Sequence, residues 1–142
     1  MNLNLSFSGK EFKKQITVLI ADDDYDSYWL ITRALKHQKV NIIWAKNGAE
    51  AVNICKSDKS IDIVLMDIRM PVMNGFEATT RIKEIRQDLP VIIQTAYAKD
   101  YENDRFMSVQ FDGFIKKPVR RKQLEELIKK HVFSETAVNS DQ

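Results

Sequence analysis

The sequence predicts an α/β fold in which one parallel sheet is covered by helices on both faces. Five short apolar runs, typical of buried strands, are residues 16–21, 42–45, 61–66, 91–94 and 113–115. Segments with apolar residues at helical spacing lie between them. Because each fully apolar strand needs cover on both sides, this alternation favours a parallel sheet with right-handed crossovers.

The helical segments follow the strands in order, and we predict strand then helix five times over. The apolar stripes after the first, second, third and fifth runs are Ile31, Ala34 and Leu35; Ala51, Val52 and Cys55; Ala78, Ile82 and Ile85; and Leu124, Leu127, Ile128 and His131. Residues 1–14 and 134–142 are polar without clear periodicity. We therefore expect two tails flanking a single domain over residues 15–133.

Composition excludes several classes of function. The net charge is only +2 although 30% of the 142 residues are charged, so no strong field exists to hold DNA or an anionic membrane. The lone Cys55 cannot form an internal disulfide, and no apolar stretch approaches the roughly 20 residues that span a bilayer. The N-terminus also lacks the features of a secretory signal. We expect a cytoplasmic chain that contacts neither membrane nor nucleic acid directly.

Acidic residues follow two separate strands. The first strand ends in Asp22, Asp23 and Asp24, and the third ends in Asp67. Parallel α/β sheets bind ligands at the carboxyl ends of their strands, and carboxylates gathered there repel unless a cation intervenes. Mg²⁺ suits such an open rim, because it binds one or two carboxylates plus waters and phosphate oxygens. The alternative for Asp24 or Asp26 is that it caps the following helix.

Two further strand ends complete a chemical set. The fourth strand finishes at Thr95, which supplies a hydroxyl, and the fifth is followed by Lys117, which supplies an ammonium group. A carboxylate nucleophile, a metal that neutralises charge and donors for the phosphoryl oxygens are the parts that phosphoryl transfer requires. Each residue alone has an ordinary surface interpretation, but together they indicate a phosphoryl-transfer site.

The sequence resembles the response-regulator receiver family over about residues 16–132. The resemblance lies in V-L-I-A-D-D-D at 18–24, V-L-M-D-I-R-M-P-V-M-N-G at 64–75, Q-T-A at 94–96 and K-K-P at 116–118. It implies a flavodoxin-like sheet of strand order 2-1-3-4-5. The sequence around these motifs looks most like that of receivers attached to hybrid histidine kinases. It also implies a phosphoacceptor switch rather than an enzyme, limited to Mg²⁺-dependent self-phosphorylation and autodephosphorylation.

The resemblance implies a role for each site residue. The phosphohistidine of a histidine kinase or phosphotransfer protein would be the donor. The implied roles are phosphoacceptor, Asp67; metal-side acids, Asp23 as a direct Mg²⁺ ligand and Asp22 acting largely through water; further Mg²⁺ ligands, Asp67 and the Arg69 carbonyl; switch hydroxyl, Thr95; phosphate-contacting lysine, Lys117; and aromatic switch, Phe114. In the family the Lys117–Pro118 bond is usually cis. Gly75 is expected to allow a loop conformation over the acceptor that other residues resist.

The resemblance also leads to expectations about switching. Partners are expected to bind the face made by the fourth helix, the fifth strand and the fifth helix, where a weak homodimer is also considered. Tyr97 and Arg69 are expected to limit access of water to the phosphoryl group. Because Phe114 has no hydroxyl to leave unsatisfied, we predict that its ring is buried and turned toward Thr95 even without phosphate.

Three other functions compete. An aspartate-nucleophile phosphatase of the haloacid dehalogenase type needs an acid two residues after the nucleophile, where this chain has Arg69. A degenerate receiver would have lost an acid, the hydroxyl or the lysine, and all are kept. DNA binding is suggested by Arg120, Arg121 and Lys122, but these begin a helix that packs on the sheet. The sequence leaves open the cognate kinase, the output and whether the receiver stands alone.

Overall fold

A computed structural model describes residues 11–96, 99 and 108–133. Five strands form one parallel sheet of order β2-β1-β3-β4-β5, which confirms the predicted flavodoxin-like topology. The strands are β1 (Ile16–Ala21), β2 (Val40–Ala45), β3 (Ile63–Asp67), β4 (Val91–Thr95) and β5 (Gly113–Lys116).

Four long helices are described, and three of them begin at a side-chain cap. They are α1 (Tyr25–Ala34), α2 (Gly48–Ser57), α3 (Gly75–Ile85) and the last helix (Arg121–Val132). Asp24, Asn47 and Asn74 each accept a hydrogen bond from a backbone N–H of the first turn. Of the two predicted candidates, Asp24 and Asp26, the cap is Asp24. Within the described residues, no helix is both long enough and apolar enough to cross a membrane.

Both faces of the sheet are buried, as the continuous apolar strands predict. On one face, Leu19 and Ala21 of β1 belong to a core with side chains of α2 and α3. On the other, Val18 and Ile20 belong to a second core with side chains of α1 and the last helix. Successive strand residues thus enter opposite cores, so the sheet is fixed from both sides.

Two strands begin at a different residue from their apolar runs, and three strands, β3, β4 and β5, end one residue later than predicted. β2 begins at Val40, two residues before the predicted run, and β3 begins at Ile63 rather than at residue 61. Ile61 is nevertheless buried in the core of the α2 and α3 face. An apolar run therefore predicts burial better than it predicts backbone pairing, because a side chain can enter the core before its strand joins the ladder.

The N-terminal side of the domain packs more closely than a tail would. Phe12, which lies in the predicted tail, is 3% exposed, and its backbone N–H donates to Gln38 Oε1 at 2.8 Å. Its ring also lies 5.5 Å from that of Phe133. The domain limits of residues 15 and 133 remain predictions. Tyr97 and most of the predicted fourth helix lie outside the described residues.

Candidate functional site

The predicted site residues meet at one edge of the sheet. Asp67 and Thr95 are the last residues of β3 and β4, while Asp22 and Lys117 directly follow β1 and β5. These four strands are neighbours in the sheet, and β4 pairs with β5 in a register that sets Thr95 opposite Lys116. Parallel pairing therefore brings carboxylates, hydroxyl and ammonium to a common rim, as the sequence predicts.

The ammonium group of Lys117 joins the two buried acids. Its Nζ lies 2.9 Å from Asp22 Oδ2 and 3.3 Å from Asp67 Oδ1. The side chains are 16% exposed for Lys117, 0% for Asp22 and 11% for Asp67. Nζ also donates to Ser27 Oγ at 3.3 Å. The Lys117–Pro118 peptide bond is cis, as expected.

Asp22 is fixed through its main chain and its side chain. Oδ1 accepts a hydrogen bond from the Asp24 backbone N–H at 2.9 Å. The Asp22 backbone N–H donates to the Ala45 carbonyl at 2.9 Å, and the Asp22 carbonyl accepts from the indole Nε1 of Trp44 at 2.8 Å. The carboxylate nearest the end of β1 is therefore held in one orientation.

Burial governs the protonation of the site. Desolvation raises the pKa of Asp67 to about 7, although the neighbouring Lys117 opposes this shift. Desolvation likewise raises the pKa of Asp22 above its ordinary value, against the hydrogen bonds from Asp24 and Lys117. Burial alone would lower the pKa of Lys117, but the charges of Asp67 and Asp22 raise it overall. The ammonium group of Lys117 thus pairs with two carboxylates, and ionising both of them in this buried site costs free energy.

The three acids fit a divalent cation. Asp22, Asp23 and Asp67 can each offer a carboxylate oxygen, and these oxygens lie within 4.8 Å of one another. Asp23 is exposed, so the cluster is open to solvent on one side. Hard oxygen donors on an open rim suit Mg²⁺. Arg69 is exposed in the bend after β3. The role of its carbonyl as a ligand remains a prediction.

Gly75 is required by close packing rather than by an unusual backbone conformation. A Cβ added there would lie 2.1 Å from the Asp67 carbonyl oxygen, and the Gly75 N–H donates to the Ile68 carbonyl at 2.8 Å. No described glycine has a positive φ, so the conformational reason given for Gly75 is wrong. The positive φ of the loop, 69°, belongs to Val72, which is 82% exposed. α3 therefore begins directly against the backbone of the predicted phosphoacceptor.

The prediction for the aromatic switch residue is wrong for this structure. Thr95 is 1% exposed, but Phe114 is 53% exposed rather than buried. The register partner of Phe114 is Ile93, and Val109 and Phe111 pack against the core that contains Ile93. Val109 and Phe111 thus pack on the sheet face to which the register assigns Phe114. The absence of a hydroxyl is therefore not sufficient to bury the Phe114 ring.

Two residues near the site were not predicted to contribute to it. Ser27 accepts from Lys117, and the hydroxyl one turn into the helix after the acids was a possible signal for this contact. Trp44 was not predicted to belong to the site, yet its indole N–H donates to the Asp22 carbonyl. The signal was its place at the end of β2, since β2 is the neighbour of β1 in the predicted order.

Comparison with known proteins places the chain among signalling proteins. The family model of the response regulator receiver domain matches residues 18–129. The autoinducer 1 sensor kinase/phosphatase LuxN of Vibrio campbellii is 35% identical over 121 residues, which are 85% of this chain and 14% of that protein. Hybrid signal transduction histidine kinases of Dictyostelium discoideum also match. The chain thus spans only a small part of these relatives.

Solved structures share the fold. The receiver domain of the sensor histidine kinase PA1611 from Pseudomonas aeruginosa, with magnesium in its active-site cleft, has a TM-score of 0.77 at 23% identity and covers 84% of this chain and 99% of that one. The receiver domain of Saccharomyces cerevisiae Ssk1, in complex with the histidine phosphotransfer protein Ypd1, has a TM-score of 0.75 at 24% identity, covering 85% and 91%. With the family model matching most of its length, the chain belongs to the response regulator receiver domain family.

Proposed function

We propose that this chain is a Mg²⁺-dependent phosphoacceptor in which Asp67 receives a phosphoryl group from a phosphohistidine. The observation that carries the proposal is the position of Lys117, whose Nζ lies within 3.3 Å of both Asp22 and Asp67. The proposed nucleophile, the proposed metal-side acids and the proposed phosphate-binding cation therefore lie in one small region that is buried except at Asp23.

The reaction needs Asp67 in its ionised form. A carboxylate oxygen of Asp67 attacks phosphorus, the P–N bond to the donor imidazole breaks, and the histidine leaves with its electron pair. With a pKa of about 7, Asp67 is only partly ionised at neutral pH. Bound at Asp22, Asp23, Asp67 and the Arg69 carbonyl, Mg²⁺ would supply positive charge that favours the carboxylate and neutralises the phosphoryl oxygens.

Lys117 and Thr95 are proposed to contact the phosphoryl group directly. Lys117 already lies between the acids, so its Nζ can transfer a hydrogen bond from Asp67 to a phosphoryl oxygen with little movement. Thr95 is buried at the end of β4 and supplies the switch hydroxyl. The exposed ring of Phe114 is then the group that changes position when the hydroxyl is drawn toward phosphate.

The proposed partners follow from this chemistry. A histidine kinase or a histidine phosphotransfer protein would carry the phosphohistidine donor. LuxN, which this chain matches in part, is a sensor kinase, and the similar receiver domain of Ssk1 was crystallised with the histidine phosphotransfer protein Ypd1. We propose a cytoplasmic acceptor switch without an independent catalytic cycle. Its output is proposed to pass through the face made by the predicted fourth helix, β5 and the last helix, where a weak homodimer is also proposed.

The donor is tested with a labelled phosphotransfer protein. A histidine phosphotransfer protein carrying radioactive phosphate on its histidine is mixed with the chain, with and without Mg²⁺. We expect transfer only with Mg²⁺ and loss of transfer in Asp67→Asn. Transfer should be retained in Asp62→Asn, because Asp62 directly precedes the N-terminal end of β3, far along the strand from Asp67. Label that reaches Asp67→Asn at the normal rate would exclude Asp67 as the acceptor.

A further inference from the structure

Trp44 connects β2 to the acidic turn, residues 22–24 between β1 and α1. Its Nε1–H donates to the Asp22 carbonyl at 2.8 Å, while the adjacent Ala45 carbonyl accepts from the Asp22 N–H at 2.9 Å. The last two residues of β2 therefore hold the main chain of Asp22 on both sides. Only the first of these bonds depends on the identity of a side chain.

The Trp44 ring also contacts the beginning of α1. It stacks on Tyr28, with ring centroids 4.3 Å apart and an interplanar angle of 13°, and it lies 5.8 Å from the ring of Tyr25. The ammonium of Lys46 lies 4.9 Å from the Trp44 ring centroid, within the range of a cation–π contact. The turn that carries Asp22 and Asp23 is therefore fixed by β2 where it leaves β1 and again where it enters α1.

Such a connection matters for a metal site built from like charges. Asp22 and Asp23 must present oxygens close to Asp67 although the carboxylates repel one another. A turn already held in position loses less conformational freedom when an ion binds, and groups that orient metal ligands affect affinity without touching the metal. A hydrogen bond to the main chain of a ligand residue is such a group.

We propose that Trp44 is a positioning residue for the metal site, acting through its indole N–H on the Asp22 main chain. The inference rests on the proposed Mg²⁺ site at Asp22, Asp23 and Asp67. Trp44 touches neither the ion nor the phosphoryl group. Its loss weakens binding of the ion without removing a ligand.

The test measures Mg²⁺ affinity by isothermal titration calorimetry of the unphosphorylated chain. Trp44→Phe keeps an aromatic ring but lacks the donor, and we expect about three- to tenfold weaker binding, the effect of one net hydrogen bond. Trp29→Phe is the matched control, because Trp29 is 43% exposed on α1 and its ring lies under the guanidinium of Arg33. Its affinity is expected to stay within about twofold of the wild type.

An isosteric replacement separates the hydrogen bond from packing. In the Trp29→Phe background, benzothienylalanine replaces Trp44 with a ring of nearly the same shape that has sulfur in place of N–H. We expect the same loss of Mg²⁺ affinity with a normal circular dichroism spectrum. With a small acyl phosphate as donor, the half-saturating Mg²⁺ concentration should rise while the rate at saturating Mg²⁺ stays within about twofold.

The outcomes distinguish this inference from the proposed function. If the wild type binds Mg²⁺ and both Trp44 replacements bind it equally well, Trp44 is a packing residue and the inference is overturned. The same conclusion follows if the replacements lower the maximal rate and leave the Mg²⁺ dependence unchanged. If the wild type itself shows no Mg²⁺ binding, the proposed metal site fails and the inference fails with it.

Discussion

Lys117 Nζ lies closer to Asp22 than to Asp67, at 2.9 Å against 3.3 Å, so its nearer partner is the fully buried acid that follows β1. Lys117 therefore lies beside Asp67, the predicted acceptor, but its contact with Asp67 is the longer of the two. This arrangement leaves Asp67 as the acid with the pKa of about 7. The balance of charge in the site therefore depends on one lysine.

Removal of Lys117 should destabilise the metal-free protein. Lys117→Met leaves two largely buried carboxylates without their cation, and we expect the free energy of unfolding at pH 8 to fall by about 2–4 kcal/mol. Denaturant unfolding without Mg²⁺ measures the change. The matched control is Lys116→Met, because Lys116 is exposed, and its effect should stay within about 0.5 kcal/mol. Equal effects of the two substitutions would show that the Lys117 contacts contribute nothing.

The raised pKa of Asp67 predicts a pH dependence of stability. Between the ordinary pKa of 3.8 and the folded value of about 7, the folded chain holds a proton that the unfolded chain has released, so stability falls as pH rises through this window. About one pH unit above 7 the loss is nearly complete, on the order of 2–4 kcal/mol. The difference between the unfolding curves of wild type and Asp67→Asn isolates this group.

Mg²⁺ should offset the stability that is lost when Asp67 ionises. Because the ion favours the ionised carboxylate, Mg²⁺ is expected to raise the melting temperature of the wild type at pH 8 and to have little effect at pH 5. Chelation should restore the metal-free curve. Equal stabilisation at both pH values, or the same stabilisation of Asp67→Asn, would mean that ions bind away from Asp67.

Gly75 should resist a substitution that ordinarily favours helices. Gly75→Ala places a Cβ 2.1 Å from the Asp67 carbonyl oxygen, which is backbone and cannot turn aside. We expect a loss of about 2 kcal/mol or more in the free energy of unfolding, although Ala in a helix normally gains up to about 1 kcal/mol. Gly113→Ala is the control, since its nearest neighbour is a side-chain tip, Ile92 Cδ1, at 3.2 Å. A stabilised Gly75→Ala would disprove the close approach.

The exposed ring of Phe114 should become less exposed when the site is loaded. With para-fluorophenylalanine at position 114 alone, we expect Mg²⁺ and beryllofluoride, a phosphoryl analogue, to reduce the difference in fluorine chemical shift between H₂O and D₂O. Thr95→Ala should weaken this response, and Thr95→Ser should keep it. If the loaded wild type shows no change, Phe114 does not move with the site.

The fold and most site residues could be predicted because they depend on local patterns. Apolar runs predict buried strands, and the carboxyl ends of parallel strands must meet, so Asp22, Asp67, Thr95 and Lys117 converge without any detail of packing. The three failures depend on tertiary contacts. The burial of the Phe114 ring was predicted from the hydration of that ring alone. The prediction did not consider Val109 and Phe111, which pack on the same face.

The other two failures have the same origin. The requirement for Gly75 comes from the backbone of β3 pressing on the first turn of α3, and the sequence shows the glycine but not its neighbour. The role proposed for Trp44 depends on the contact of its indole N–H with the Asp22 carbonyl, just after the end of β1. Hydrophobic patterning places both residues on the correct element and gives no information about such contacts.

The most direct measurement is the identification of the residue that carries phosphate. The chain is incubated with a small acyl phosphate and Mg²⁺, the product is reduced with borohydride, which converts a phosphorylated aspartate to homoserine, and peptides are sequenced by mass spectrometry. We predict homoserine at position 67 only, and none when Mg²⁺ is chelated. Homoserine at position 22 or 23 instead, or unmodified Asp67 under conditions that phosphorylate a known receiver, would contradict the proposed function.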